Sequence, residues 1–399
     1  MLAVDLVHEI HTTELRSYRG CRRRWNWAFG EDLQPIRTAV PLEFGISYHY
    51  AMEKMYNPET WGAPRLLIAQ FAEAAFYDAC SAQRKKYNAE NERGMSDEEE
   101  RNYDELLALG RGMIHWYVMN HLPVDEYVPA FVEEKFQVPI THPDGTPLHC
   151  TCDKCHAKWL LADEAWLVAN GHTWKGLPVV YEGRVDAIVR DRHGNYWILD
   201  WKTTSRMMNE DADIVLELDD QITGYIWALR KKLGLAIRGF IYVELKKGFP
   251  QPPPEMKVVR LGRSFSVSKQ LDTDADTYTR TVSARDKGAY TAGLYDEYIA
   301  YLKAEGPRFI NHHTVRRTSI QLDNFESDLL DQAFEMTDPN TRIYPSPGRF
   351  SCGNCAYKEP CLDKNQGGDY HYALQTVYQI KPRYYVLREA TTDHAGVGQ

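Results

Sequence analysis

The sequence predicts an α/β protein in which helices flank a central mixed sheet. The first observation is a set of segments with helical apolar periodicity, at 41–56, 64–83 and 103–120. The second is a set of apolar runs of strand length bounded by turn residues, at 128–140, 183–189, 196–201 and 240–245. The third is a helix predicted for 219–233, with acidic residues at its start and Gly234 as a stop.

Length and composition indicate a globular protein. The 399 residues are 43% hydrophobic and 26% charged, and we expect a single domain over 1–388 with a helical N-terminal part at 1–125. The polar tail at 389–399 is predicted to be disordered. No apolar run is long enough for a membrane span, and the N-terminus lacks the pattern of a secretory signal. We therefore expect a cytoplasmic protein without membrane contact.

The formal charge of −9 argues against a protein that coats nucleic acid without discrimination. It does not exclude a nuclease, because metal-binding carboxylates add negative charge and basic residues can be concentrated locally. The basic and aromatic segment 22–27 could guide a single strand of DNA, although Trp25 and Trp27 are equally interpretable as core residues.

Six of the eight cysteines fall in two groups, which in a reducing compartment indicates metal binding before disulfides. The first group lies in an insertion predicted at about 149–177. Its density of soft ligands suggests zinc, with Cys152 and Cys155 as the best pair and the full ligand set left open. The candidates are Cys150, Cys152, Cys155 and His156. The alternative is a Cys- and His-rich loop without metal.

The second group has the spacing C-x2-C-x5-C, and three thiolates need a fourth ligand. It comprises Cys352, Cys355 and Cys361.

The hairpin predicted at 183–204 holds the highest concentration of candidate catalytic residues. With a turn centred near His193, Asp186 and Asp200 fall opposite one another, and Lys202 shares the Asp200 face. Opposed carboxylates repel, and a divalent cation such as Mg²⁺ or Mn²⁺ would stabilise them. The lysine could then orient or deprotonate the attacking water, or stabilise charge on a phosphate. A register shift of one residue would leave only an exposed hairpin with scattered charges.

The order Asp186, then Asp200-Trp201-Lys202, resembles the PD-(D/E)XK nuclease superfamily, whose core is restriction-endonuclease-like. Two further motifs resemble its RecB-like branch: Gly-x-x-x-His at 45–49 and Gln-x-x-x-Tyr at 221–225. The resemblance implies that His49, Asp186, Asp200 and the Trp201 carbonyl hold Mg²⁺ or Mn²⁺. It also implies that Lys202 is the catalytic lysine and that Gln221 and Tyr225 position DNA. An acidic position on the first core strand matches Glu134 or, equally, Glu133.

One upstream and three downstream cysteines resemble the iron–sulfur nucleases, which include AddB-type nuclease domains and CRISPR-associated adaptation exonucleases. This resemblance implies a 4Fe-4S cluster that closes a C-terminal segment at about 345–365 onto the N-terminal part. Its ligands would be Cys21, Cys352, Cys355 and Cys361. Zinc is the competing occupant, and free thiols are the third interpretation. The segment 219–221 is also similar to phage-borne members of the family.

We therefore expect a metal-dependent DNA exonuclease that acts on single strands or duplex ends in recombination, repair, replication or phage DNA processing. The sequence contains no phosphate-binding loop of an ATPase, so a helicase or recombination protein would have to be a separate partner. The first alternative is a catalytically silent DNA-binding or assembly module. The second is a zinc-dependent regulator built on the Cys150 group.

Overall fold

The computed structural model describes residues 7–36, 40–90, 94–122, 126–161, 174–208 and 211–380. Part of the predicted insertion, at 162–173, and the predicted tail at 389–399 lie outside the described residues. Within the described ranges, no helix combines the length and the apolar character needed to cross a bilayer.

The first half of the described chain contains, in order, β1 (His8–Ile10), α1 (Thr12–Gly20), α2 (Arg22–Trp25), β2 (Leu33–Pro35), α3 (Val40–Met55), α4 (Arg65–Glu90), α5 (Asp97–Trp116), β3 (Val128–Pro139), β4 (His149–Cys150), α6 (Asp153–Leu161), β5 (Leu177–Arg190) and β6 (Tyr196–Thr204). The second half contains α7 (Ala212–Glu217), α8 (Asp220–Leu233), β7 (Ile237–Lys246), β8 (Glu255–Arg260), β9 (Arg263–Phe265), α9 (Ala275–Arg285), α10 (Lys287–Thr291), α11 (Asp296–Ala304), β10 (Ile310–Val315), α12 (Ser319–Thr337), α13 (Arg349–Gly353), α14 (Lys358–Asn365), α15 (Tyr370–Val377) and β11 (Tyr378–Ile380).

The predicted α/β class with a central mixed sheet is confirmed. Its main path runs β1-β5-β6-β7-β10, and β3 and β4 also pair with β5. The β5–β6 and β7–β10 pairs are antiparallel, whereas β6–β7 and β1–β5 are parallel. The long strand β5 therefore connects the N-terminal strand, the insertion and the hairpin that carries the predicted carboxylates.

Helices cover both faces of this sheet. Alternate residues of β6 enter two different cores, because successive side chains of a strand point to opposite faces. Leu199 and Trp201 pack in the core formed with α3, α4 and α5, and Ile198 packs in the core formed with α8 and α12. The sheet is therefore buried on both faces, which explains why its strands are rich in apolar residues.

The ends of α8 follow the sequence prediction. The Asp219 side chain accepts hydrogen bonds from the backbone N–H groups of Gln221 and Ile222, and Gly234 closes the helix in the left-handed conformation. The predicted start of α5 was wrong. The helix begins at Asp97 and not at 103, because Ser96 and Glu99 form a capping box and acidic residues stabilise a helix N-terminus.

The packing of α8 onto the sheet generates a stability prediction at Gly224. A Cβ atom there would lie 2.7 Å from Phe325 Cζ and collide with the Tyr181 hydroxyl. We expect Gly224→Ala to lower the free energy of unfolding by about 1–3 kcal/mol, because an overpacked core must shift. Urea denaturation of the full chain measures this change.

The matched control is Gly288→Ala, since a Cβ atom at this helical position meets nothing within 4 Å. This variant should be neutral or more stable by up to about 1 kcal/mol, because alanine favours helix over glycine. Equal unfolding midpoints for the two variants would contradict close packing of α8 on β5.

Candidate active site and metal centres

The hairpin β5–β6 brings the two predicted aspartates together. The paired positions end at Ala187 and Leu199, and one further step in the same register sets Asp186 opposite Asp200, as a turn centred near His193 predicts. The backbone N–H of Trp201 donates to Asp186 Oδ2 at 3.1 Å. The Trp201 side chain points into the opposite core, where its ring lies 4.7 Å from that of Tyr56. The role predicted for the Trp201 carbonyl stays a prediction.

Helix α3 brings His49 to this hairpin. Its Nδ1 lies 3.0 Å from Asp186 Oδ2. Burial alone would lower the pKa of His49, but the hydrogen bond to Asp186 and the charge of that carboxylate raise it. Burial likewise acts to raise the pKa of Asp186, but the hydrogen bond and the positive charge of His49 outweigh burial and lower it. The two groups therefore stabilise one another in their charged forms.

Asp200 and Lys202 form the second ion pair. Lys202 Nζ lies 2.7 Å from Asp200 Oδ2, and the Asp200 side chain is only 3% exposed. Burial, opposed by the charge of Lys202 and assisted by that of Asp186, raises the pKa of Asp200 to about 6. The pKa of Lys202 is also raised: burial would lower it, but the carboxylates of Asp200 and Asp186 prevail. Lys202 is therefore a firmly protonated cation beside two carboxylates.

Glu133 and Glu134, the two candidates for the acidic position, differ in their surroundings. Glu133 lies 2.7 Å from Arg184, and burial raises its pKa to about 7, with Asp186 among the charges that contribute. Glu134 instead pairs with Lys232 at 2.7 Å. Glu133 has a φ of 52°, a conformation that a non-glycine residue adopts only with strain. The acidic neighbour of the site is therefore Glu133.

Two residues near the site were missed at the sequence level. Glu53 follows His49 by one helical turn on α3, and its charge raises the pKa of Glu133. Tyr242 on β7 pairs with Asp200 in the parallel ladder, and burial raises its pKa to about 12. The four-residue spacing from His49 could have revealed Glu53. Tyr242 required knowledge of which strand neighbours β6.

Helix α8 carries Gln221 and Tyr225, and Tyr225 lies close enough to the carboxylates for their charge to act on it. The Tyr225 ring packs edge-on against Phe136, with 5.4 Å between ring centroids. Burial, together with the charge of Asp200, raises the pKa of Tyr225 to about 12, and a hydrogen bond with Gln221 opposes this. The predicted Gln-x-x-x-Tyr motif therefore lies close enough to Asp200 for the charge of that carboxylate to act on Tyr225.

The structure brings the four cysteines of the predicted iron–sulfur site into one region. Backbone N–H groups of Ser346 and Gly348 donate to the Cys21 and Cys352 sulfurs at 3.4 and 3.3 Å. Arg23 donates to Cys361 Sγ at 3.4 Å. Burial raises the pKa of the fourth thiol, that of Cys355, and the neighbouring thiols Cys21 and Cys352 add to this effect.

One donor to these cysteine sulfurs, Arg23, comes from the basic and aromatic segment 22–27, which could have guided a single strand of DNA. Arg22 forms an ion pair with Glu335, and Trp25 and Trp27 are buried. The core interpretation of the two tryptophans is therefore confirmed.

The other cysteine group closes with a histidine that the sequence did not suggest. The donor atoms of His8, Cys150, Cys152 and Cys155 all lie within 4.8 Å of one another, so this group could hold a metal ion. The Cys150 and Cys152 sulfurs are 3.2 Å apart, and His8 Nδ1 is 3.0 Å from Cys155 Sγ. Hydrogen bonds from the other two thiols lower the pKa of Cys152 to about 2.

His156 is not part of this group, contrary to the predicted ligand set. It follows Cys155 directly on α6, and successive residues of a helix point about 100° apart. Its ring instead packs against Trp174, with 5.0 Å between ring centroids. His8 carries no local motif, and only the parallel pairing of β1 with β5 brings it near the cysteines.

Sequence comparison agrees with this geometry. A model of the PD-(D/E)XK nuclease superfamily matches residues 12–362, and the chain belongs to that superfamily. Membership implies a nuclease that uses divalent metal ions. A search of curated proteins gave no match.

The contrast between Glu133 and Glu134 generates the second prediction. We expect Glu133→Gln to reduce metal-dependent nucleic-acid cleavage by roughly 10–100-fold, the usual cost of losing a partner around a metal site. Glu134→Gln is the matched control and should leave cleavage nearly unchanged, because its carboxylate pairs with Lys232. Initial rates at saturating Mn²⁺ test both variants. A larger loss in Glu134→Gln would show that the acidic neighbour is misassigned.

Proposed function

We propose that this protein is a Mg²⁺- or Mn²⁺-dependent deoxyribonuclease that acts as an exonuclease on single strands or duplex ends. One observation carries the proposal. Within a chain of a nuclease superfamily, Asp186, buried Asp200 and half-buried Lys202 meet on one hairpin, and His49 contacts the first carboxylate. The motif order from Gly45 to Tyr225 favours the RecB-like branch and hence an exonuclease.

The donor set fits a divalent cation. Two carboxylates, one imidazole and a backbone carbonyl are ligands that Mg²⁺ or Mn²⁺ accepts, and here they come from Asp186, Asp200, His49 and Trp201. A bound ion of this kind polarises a phosphate oxygen and lowers the pKa of its water. His49 and the Trp201 N–H hold Asp186 in its charged form and in place. Because only the neutral imidazole can ligate a metal, binding of the cation would release the proton that His49 shares with Asp186.

Lys202 supplies the positive charge. Its pKa is raised by Asp200 and Asp186, so it is protonated at neutral pH. Of the three roles that the sequence allowed, this favours stabilisation of the charge that develops on the phosphate over deprotonation of water. Gln221 and Tyr225, on the neighbouring helix, would align the DNA strand relative to this charge.

We further propose that Cys21, Cys352, Cys355 and Cys361 hold a 4Fe-4S cluster. The N–H groups of Ser346 and Gly348 and the guanidinium of Arg23 all donate to cysteine sulfurs, and such donors stabilise the thiolates of a cluster. A single zinc ion with Zn–S bonds of about 2.3 Å would draw its sulfurs to about 3.8 Å from each other. Among the described residues, the cysteine-bearing group whose donor atoms all lie within 4.8 Å of one another contains His8 and not these four cysteines.

The biological setting that fits is DNA recombination, repair, replication or phage DNA processing in the cytoplasm, with a helicase or recombination protein as partner. The RecB-like motifs support this setting, and the substrate is DNA by the same resemblance.

The third prediction tests catalysis. Anaerobically purified wild type and Lys202→Ala are incubated with end-labelled single- and double-stranded DNA in Mn²⁺, Mg²⁺ or EDTA. We expect metal-dependent cutting that falls roughly 100–1,000-fold in the variant, because one preorganised charge is lost. Lys232→Ala, which removes a lysine paired with Glu134, is the control and should cut normally.

The pattern of products decides among the alternatives. A ladder that shortens from one end supports an exonuclease, and internal fragments would identify an endonuclease. Absence of cutting by cluster-loaded wild type with every metal would reject the nuclease proposal in favour of a DNA-binding or assembly module.

The fourth prediction tests the cluster. Cys355→Ser should lose the brown chromophore and most of the iron, about four atoms per chain in the wild type. Cys80→Ala is the control, because Cys80 is buried among α3, α4 and α5 and should not affect iron content. Iron analysis and visible absorption measure the result. An anaerobic wild type that contains no iron, with a second zinc per chain beside the one expected at the Cys150 group, would reject the cluster.

A further inference from the structure

We propose that His8, Cys150, Cys152 and Cys155 bind a structural zinc ion that fastens the cysteine-bearing insertion to the N-terminal strand. The proposal concerns a part of the chain that the nuclease chemistry does not use. It is therefore independent of the function proposed above.

The four donors converge from three elements and the turn at Cys152 that joins two of them. His8 lies on β1, Cys150 on β4, and Cys155 on α6, and all four donor atoms lie within 4.8 Å of one another. Tetrahedral zinc with bonds of about 2.0–2.3 Å separates its donors by about 3.5–3.8 Å. The 3.2 Å contact between the Cys150 and Cys152 sulfurs therefore has to widen by about 0.6 Å.

The donor chemistry favours zinc. Three thiolates and one imidazole in a tetrahedral arrangement are typical zinc ligands, whereas Mg²⁺ and Mn²⁺ prefer oxygen. Cys150 and Cys155 are almost completely buried, and burial protects such a site from exchange with solvent. The spacing C-x-C-x2-C within a chain that has no disulfide among its described cysteines points the same way.

The site is closed and distant from the hairpin carboxylates. Four side chains complete a tetrahedron, so no position remains for a water or a substrate, which distinguishes structural from catalytic zinc. Cys150 pairs with Leu177 at the start of β5, and Asp186 lies nine residues farther along the same strand. At about 3.3 Å per residue this amounts to about 30 Å.

The ion would anchor a short strand. Strand β1 pairs with β5 over only three residues. Two lysines of α6 already reach the N-terminal segment: Lys158 donates to the Val7 carbonyl at 2.7 Å, and Lys154 pairs with Asp32 at 2.8 Å. Zinc bound by His8 would add a strong link at the same junction. Since β1 leads through α1 directly to Cys21, the ion would also steady the segment that carries this cysteine.

The experiment measures zinc in the full-length chain. Wild type purified without added metal is analysed for zinc and iron and examined by X-ray absorption at the zinc edge. We expect one zinc per chain with three sulfur ligands and one nitrogen ligand. A first shell of four sulfurs, a shell rich in oxygen, or a chain that contains no zinc would overturn the proposal.

Matched histidine variants identify the nitrogen. His8→Ala should weaken zinc binding by roughly 10-fold or more, measured by competition with a chromogenic chelator, because even the loss of an outer partner has an effect of that size. His156→Ala should bind zinc as tightly as wild type. Zinc loss in His156→Ala with retention in His8→Ala would reject the assignment. If a variant does not fold, the wild-type absorption spectrum still distinguishes a shell of three sulfurs and one nitrogen from the other shells.

Discussion

The two carboxylates that approach each other across β5 and β6, Asp200 buried and Asp186 partly buried, are the constraint on which the site depends. Asp186 and Asp200 would repel strongly at this depth without compensation, because burial disfavours charge. Compensation comes from His49 at 3.0 Å and Lys202 at 2.7 Å. One partner is on a helix and the other on the same hairpin. The charges are therefore balanced only when α3 has packed onto the sheet, and the chemistry of the site is tied to the assembly of two layers.

Because successive side chains of β6 point to opposite faces of the sheet, three consecutive residues divide between the site and the core. Asp200 and Lys202 face the site, whereas Trp201 fills the opposite core against Tyr56, whose hydroxyl lies 2.5 Å from that of Tyr117. A slip of one residue would expose the indole and bury both charges in apolar surroundings, so the register is strongly determined. The large apolar side chain thus fixes the position of the two polar ones. The tight packing of Trp201 on the opposite face therefore keeps Asp200 and Lys202 in position at the site.

The parts of the structure that could be predicted from the sequence are those that depend on residues close together in the chain. The β5–β6 hairpin and α8 follow from alternation, turn residues and caps, and so does the approach of Asp186 to Asp200. The parts that it hid depend on distant pairing or unusual backbone. His8 has no motif, and the left-handed conformation of Glu133 leaves no signature in a strand. In both cases the tertiary structure determines which residue lies at the site, and the local sequence pattern does not contain that information.

Strand β2 near the N-terminus pairs with β11, and Pro35 lies opposite Tyr378. These residues become neighbours only after almost the entire intervening chain has been made. At about 5–20 residues per second, β2 waits roughly 20–70 s on the ribosome for its partner. Contacts of such long sequence separation also form slowly, because loop closure must come first. The junction of the two ends is therefore a late event in the biogenesis of the protein.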